Sequence, residues 1–225
     1  MQCFILAAGE GFKLDGFNKL LLKHPQSGKT LLQTYIDRFG ADNVTVGLGY
    51  RAISVVHNFP DITYAINNEW GSTNSAHTFR LCLEASRNPT SPTVVIPDDI
   101  FLSDDVLNKL CSSDSNLFAL SHSTSSKARR VNYSSNPLTN PFYFGPPLTN
   151  DPEVIGVFRF TNPDLIFKSF CLLDNFSTSF LSEVLASHFN SQHIHDNNFK
   201  TLDITSQYFE IETVEDYLRF AGSTL

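Results

Sequence analysis

The stretch Cys3-Phe-Ile-Leu-Ala-Ala-Gly-Glu-Gly-Phe-Lys13 decides how the remainder of the 225-residue chain is read. Its first six residues are apolar without alternation, the pattern of a strand covered on both faces of a parallel sheet, and glycine stops it. Working outward, Leu31, Leu32, Tyr35, Ile36 and Phe39 recur at helical spacing behind Thr30, a good N-cap, and ahead of Gly40, a natural stop. This predicts a helix packed on the sheet. Segments 44–48, 62–66, 94–96, 117–120 and 154–160 are short and β-rich, and most are separated by helical stretches such as 75–85 and 104–110. Toward the end come an amphipathic helix around 180–189, a strand at 208–211, and a helix opened by Thr213-x-x-Asp216, a capping-box variant. Alternating β and α predicts a single α/β domain over 1–225, with a mostly parallel, Rossmann-like sheet flanked by helices. Residues 122–152 are the exception. They are rich in Ser, Asn and Pro and read as a loop or lid excursion.

Composition narrows the function classes. Hydrophobic residues make up 41% and charged residues 17%, which excludes disorder and predicts a globular, soluble chain. Sixteen basic against 23 acidic side chains give −7, so a nucleic-acid surface built on bulk positive charge is not expected. The basic residues are uneven: Lys13, Lys19, Lys23 and Lys29 face only Glu10 and Asp15 within the first 30 residues. A basic patch in an acidic protein suggests a bound anion. Cys3, Cys82, Cys111 and Cys171 lack metal or disulfide-framework spacing, and His193-x-His195 reads as a surface pair. No apolar run is long enough for a signal peptide or a membrane span, so the expectation is a cytoplasmic protein with no membrane partner.

Gly9 and Gly11 would let backbone N–H groups approach a phosphate just past the first strand, with Lys13 and Lys19 supplying charge. The dinucleotide fingerprint fails, because Leu14 stands where its third glycine belongs. The Walker A pattern fails too, because Lys23 occupies its first glycine position before Gly28-Lys29-Thr30. Asp98 and Asp99 follow the 94–96 strand, at the carboxyl edge where open α/β sheets bind ligands, and Pro97 marks the strand end. Adjacent carboxylates repel unless a cation is present, which points to a hard divalent ion such as Mg²⁺. Helix capping is the alternative, but Ser103, Asp104 and Asp105 already serve the next helix. Glu210 and Glu212 alternate on a predicted strand, so both share one face, where they complete a metal site, hold a cationic acceptor, or are simply solvated.

The sequence Leu6-Ala-Ala-Gly-Glu-Gly-Phe-Lys13, with Asn18-Lys19 before paired leucines, resembles the signature loop of nucleotidyltransferases with a glycosyltransferase-A-like fold. Gly49-Tyr50, Asn68-Glu69-Trp70 with Asn74-Ser75, Val95-Ile-Pro-Asp-Asp-Ile-Phe101 and Tyr208-Phe-Glu-Ile-Glu212 with Glu215-Asp-Tyr217 are similar to the small phosphocholine and phosphonate cytidylyltransferases. The resemblance spans nearly the whole chain. It implies CTP and a small phosphate or phosphonate as substrates, Mg²⁺ as cofactor, and pyrophosphate as product. It makes Leu6, Ala7, Ala8, Gly9, Gly11, Asn74 and Ser75 nucleotide-binding, with Lys19 and Lys13 catalytic. Asp99 rather than Asp98 is favoured as metal ligand, together with Glu212 and Glu210. Trp70, Tyr208 and Glu210 become acceptor-binding residues, with His77 in the same region. Lys127, Arg129 and Arg130 could close over phosphates from the long loop. Four departures stand out: Lys13 replaces the usual Arg, Asn18 replaces Pro, the loop between them is short, and Glu212 replaces Asp. A molybdopterin- or sugar-phosphate-type nucleotidyltransferase, or a nucleotide-binding regulatory protein without turnover, remain alternatives, and a homo-oligomer is open.

Overall fold

The computed structural model describes residues 1–24, 27–122, 131–133, 142–144, 151–171, 175–192 and 199–222. In chain order, β1 (Gln2–Ala7), α1 (Leu31–Phe39), β2 (Val44–Leu48), α2 (Ala52–Asn58), β3 (Thr63–Ile66), α3 (Ser75–Ala85) and β4 (Thr93–Pro97) form an alternating first half. There follow β5 (Ile100–Leu102), α4 (Asp104–Ser112), β6 (Asn116–Ser121), β7 (Val131–Tyr133), β8 (Phe142–Phe144) and β9 (Glu153–Phe160). The chain closes with α5 (Pro163–Phe170), α6 (Leu181–Gln192), β10 (Phe199–Asp203), β11 (Tyr208–Glu210) and α7 (Val214–Ala221).

β1 is buried along its whole length because it is central, parallel to β2 on one side and to β4 on the other. The main sheet runs β10-β6-β9-β4-β1-β2-β3. β9 alone on this path is antiparallel to both of its neighbours. Side chains alternate across the pleat: Cys3, Ile5 and Ala7 face an apolar layer built with α1 and α4, while Phe4 and Leu6 face one built with α3 and α6. Three of the helices are capped as their sequences dictate. The Thr30 hydroxyl accepts from Gln33 N at 3.1 Å, Ser103 caps α4, and Thr213 and Asp216 form the reciprocal capping box of α7.

The structure departs from the sequence reading in four places. The predicted 62–66 strand begins at Thr63, and the 208–211 strand ends at Glu210, paired antiparallel with β5 in a small separate sheet. β10, a polar and mostly exposed edge strand beside β6, carried no alternation to reveal it. Within 122–152 the chain is not all loop, since β7 pairs with β8 and Asn132 pairs with Glu153 of β9. Lys127, Arg129, Arg130, His193 and His195 lie outside the described residues.

Candidate active site

The carboxyl ends of β1, β2 and β4 converge. Tyr50 N donates to Ala8 O at 3.1 Å, and Asp98 N donates to Leu6 O at 3.2 Å. Between the two stands Gly49, where a Cβ would fall 2.5 Å from Ala8 O and 2.6 Å from the Trp70 Cβ, so only glycine lets the β1 edge and the Trp70 segment approach so closely. Trp70 in turn meets Tyr50 edge-on at 5.2 Å. Past Gly9 the chain leaves the sheet in a left-handed step at Gly11 (φ 60°) and a 3₁₀ turn over Phe12–Leu14, whose buried Leu14 pins the loop down. A second turn, Lys19–Leu21, is capped by Asn18, whose side-chain oxygen accepts from Leu20 N at 3.0 Å. Asn18 therefore does by side-chain capping what a proline there would do by fixing φ.

This second turn aims Lys19 inward. Its side chain is 13% exposed and its ammonium lies 3.4 Å from Asp99 Oδ2. Burial alone would pull the Lys19 pKa down, but Asp99, Asp98 and Glu212 outweigh it and hold the ammonium above its ordinary value. Burial, with Asp99 adding repulsion and Lys19 opposing, pushes the Asp98 carboxyl up to about 7. Asp99 is brought to Glu210 and Glu212 by the small sheet: β5 leaves directly behind it, β11 pairs with β5, and Ile211 N donates to Asp99 O at 2.8 Å. Glu212 hangs on the α7 cap, its N–H donating to Asp216. One oxygen each of Asp99, Glu210 and Glu212 lies within 4.8 Å of the others, a set of hard donors that suits a hard divalent cation. Asp98 is not part of this cluster. Lys13, on the same loop as Lys19, reaches Glu212 Oε2 at 2.8 Å.

A cavity of about 450 Å³ opens beside these groups, a size within the range of small-molecule sites. Leu6, Ala8, Gly9, Trp70, Asn74 and Ser75 line it, as do Asp98, Asp99, Glu210 and Glu212. Asn74 and Ser75 also build its wall: Asn74 caps α3, and the Ser75 hydroxyl accepts from Leu181 N at 2.9 Å. Other expected residues lie elsewhere. Ala7 is buried in the layer facing α1, Gly11 sits behind the loop beside the Lys19 stem, and Tyr208 packs against the α1 layer rather than lining the cavity. His77 is buried under Ser177, and burial pulls its pKa down.

The sequence reading missed Asn67, Glu153 and Glu183, which also line the cavity. Buried Asn67 organises the segment carrying Trp70: its amide donates to Thr73 and Thr78 and its oxygen accepts from Glu69 N. Glu153 opens β9. Because β9 runs antiparallel, its first residue rather than its last lies at the active edge, a reversal that strand patterning does not reveal. Six carboxylate side chains line the cavity, and no Lys, Arg or His does among the described residues.

The MobA-like NTP transferase domain model matches residues 3–145. The chain belongs to that family. This nucleotidyltransferase has the fold of several solved enzymes, at identities that carry the fold alone. A Bacillus anthracis protein provisionally assigned as a glucose-1-phosphate thymidylyltransferase, in complex with sucrose, superposes with a TM-score of 0.73 at 15% identity, over 98% of this chain and 94% of that one. The CTP:phosphocholine cytidylyltransferase LicC of Streptococcus pneumoniae gives 0.65 at 15% identity, covering 98% and 97%. The inositol-1-phosphate CTP transferase of T. maritima gives 0.69 at 17%, covering 100% and 98%. No curated protein matches the sequence. No helix among the described residues is long and apolar enough to cross a membrane.

Proposed function

We propose that this nucleotidyltransferase moves CMP from CTP to a small phosphate or phosphonate monoester that carries a cationic amine, of the phosphocholine or aminoalkylphosphonate kind, and releases pyrophosphate. The observation that carries the reading is the charge arrangement: Lys19 and Lys13 stand on the loop at the rim, while the cavity behind them is walled by carboxylates and Trp70. The lysines suit the phosphates, and the walls suit a cation. Asp99, Glu210 and Glu212 would hold Mg²⁺, which when bound neutralises phosphate charge. The acceptor brings its own anionic oxygen, so the protein needs no strong base. Lys19 stabilises charge on the transferring phosphate, and the backbone from Leu6 to Gly11 positions the nucleotide. CTP as donor draws on the two named CTP-using neighbours.

An ammonium head against Trp70 gains ~0.5–2 kcal/mol from the ring face, and a neutral polyol phosphate gains nothing there. Pyrophosphate release, measured with each of four nucleoside triphosphates against phosphocholine, 2-aminoethylphosphonate, hydroxyethylphosphonate, glycerol phosphate and glucose 1-phosphate, tests the proposal. CTP with an amine-bearing acceptor should be fastest, and EDTA should abolish turnover. A tenfold preference for an uncharged acceptor removes the cationic-acceptor reading, and a preference for another triphosphate removes the cytidylyl assignment.

A further inference from the structure

Two lysines and three carboxylates meet at this site, and their pairing is specific. Lys13 lies 2.8 Å from Glu212 and Lys19 lies 3.4 Å from Asp99, so each loop lysine is spent on a member of the cluster that could take a divalent ion. Both pairs bridge the same two bodies: the loop after β1, and the β5–β11 sheet with its approach to α7. Asp99 and Glu212 thus each hold a lysine ammonium.

We propose that Lys13 and Lys19 act as stand-ins for the divalent cation, so that metal and triphosphate bind by exchange of partners. Both lysines leave Glu212 and Asp99 when a divalent ion takes those oxygens, and the released ammonium groups then meet the triphosphate. Each ligand alone has to break the lysine pairs, whereas the two together re-pair every charge. The device ties the signature loop to the carboxylates before substrate arrives, and it disfavours binding of bare nucleotide or bare metal. This inference rests on the metal–nucleotide reading of the site given above.

The two pairs differ in strength. Lys13 and Glu212 side chains are 48% and 28% exposed, so solvent screens them, whereas Lys19 and Asp99 are 13% and 18% exposed. Partly exposed ion pairs are worth ~0.2–1 kcal/mol, so removing the Lys13 charge should tighten metal binding by about 1.4–5-fold, and Lys19 by more.

The test is a change of opposite sign in two titrations. Mn²⁺, followed by its electron paramagnetic resonance signal, is titrated into nucleotide-free protein, and CTP is titrated calorimetrically in EDTA. Lys13→Met should bind Mn²⁺ more tightly by that factor and bind CTP more weakly, and Lys19→Met should do the same with larger amplitude. Lys13→Arg should restore both values toward the parent. Lys29→Met, which removes the same charge from a lysine paired with Asp37, is the control for long-range electrostatics and should leave both titrations unchanged. Weakening or no change of Mn²⁺ affinity in Lys13→Met and Lys19→Met overturns the exchange, and so does equal tightening in Lys29→Met. If the parent binds Mn²⁺ with CTP but the variants do not shift, the exchange fails while the metal–nucleotide site stands. If the parent binds no Mn²⁺ even with CTP, both fail.

Discussion

Lys19 and Asp99 are 80 residues apart in the chain and 3.4 Å apart in the fold, and the reaction is expected to depend on that proximity. Lys19→Ala should lower kcat by ~10²–10³, the scale for removing one preorganised charge-stabilising group, with the thermal unfolding midpoint little changed. Unchanged turnover would return Lys19 to a purely structural role. Asp99→Asn should cost more activity than Asp98→Asn, because only Asp99 joins Glu210 and Glu212. The reverse order would place the metal on Asp98, with a different ligand set. At this scale the sequence was most informative about residues whose chemistry is local: the glycines of the loop, its lysines, and the paired aspartates after a strand. It was least informative about Tyr208, whose aromatic ring suits an ammonium but which the small sheet packs against the α1 layer, and about Glu153, whose position depends on strand direction.

Elements meet at the site through close approach, and Gly49 is one example. An alanine there would place its Cβ against the Ala8 carbonyl and the Trp70 side chain, a backbone group on one side and a ring on the other, neither of which yields cheaply. Gly49→Ala should therefore destabilise by ~1–3 kcal/mol, the usual scale of overpacking, read as a lower urea midpoint at unchanged m-value. It should also raise KM for the nucleotide, since the Ala8–Gly9 backbone must shift. A variant as stable as the parent would mean that the Trp70 segment moves aside freely. α1 and α7 were easily read because caps and apolar spacing agree: Thr30 to Gly40 bounds α1, and Thr213 with Asp216 opens α7. β5 and β10 were not. The first is only three residues long, and the second is an edge strand with little to bury, so neither leaves a periodic signal.

Across the whole molecule the parallel core could be inferred from unbroken apolar strands, but the order of strands could not, because register between distant segments is set by packing that no local pattern encodes. The two apolar layers that sandwich the sheet also enclose titratable groups, and these give the fold a pH dependence. His77, in α3, and His188, in α6, are both buried with pKa values below the ordinary range. Desolvation is the first cause in each. At His77, Arg80 adds to it while Glu69 and Glu84 oppose it. A histidine depressed in the folded state binds fewer protons there than in the unfolded chain, whose imidazoles titrate near ~6.5. Its neutral burial is then without penalty above that unfolded value, and stability is lost as pH falls from there through the folded pKa. Below about pH 6.5 the histidines should accordingly lower the urea midpoint, against Asp98, whose raised pKa acts with the opposite sign. The decline should flatten in a His77→Gln/His188→Gln double variant, where no imidazole has to remain neutral. A double variant whose midpoint follows the parent's at every pH would show that the pH sensitivity arises in the carboxylates instead.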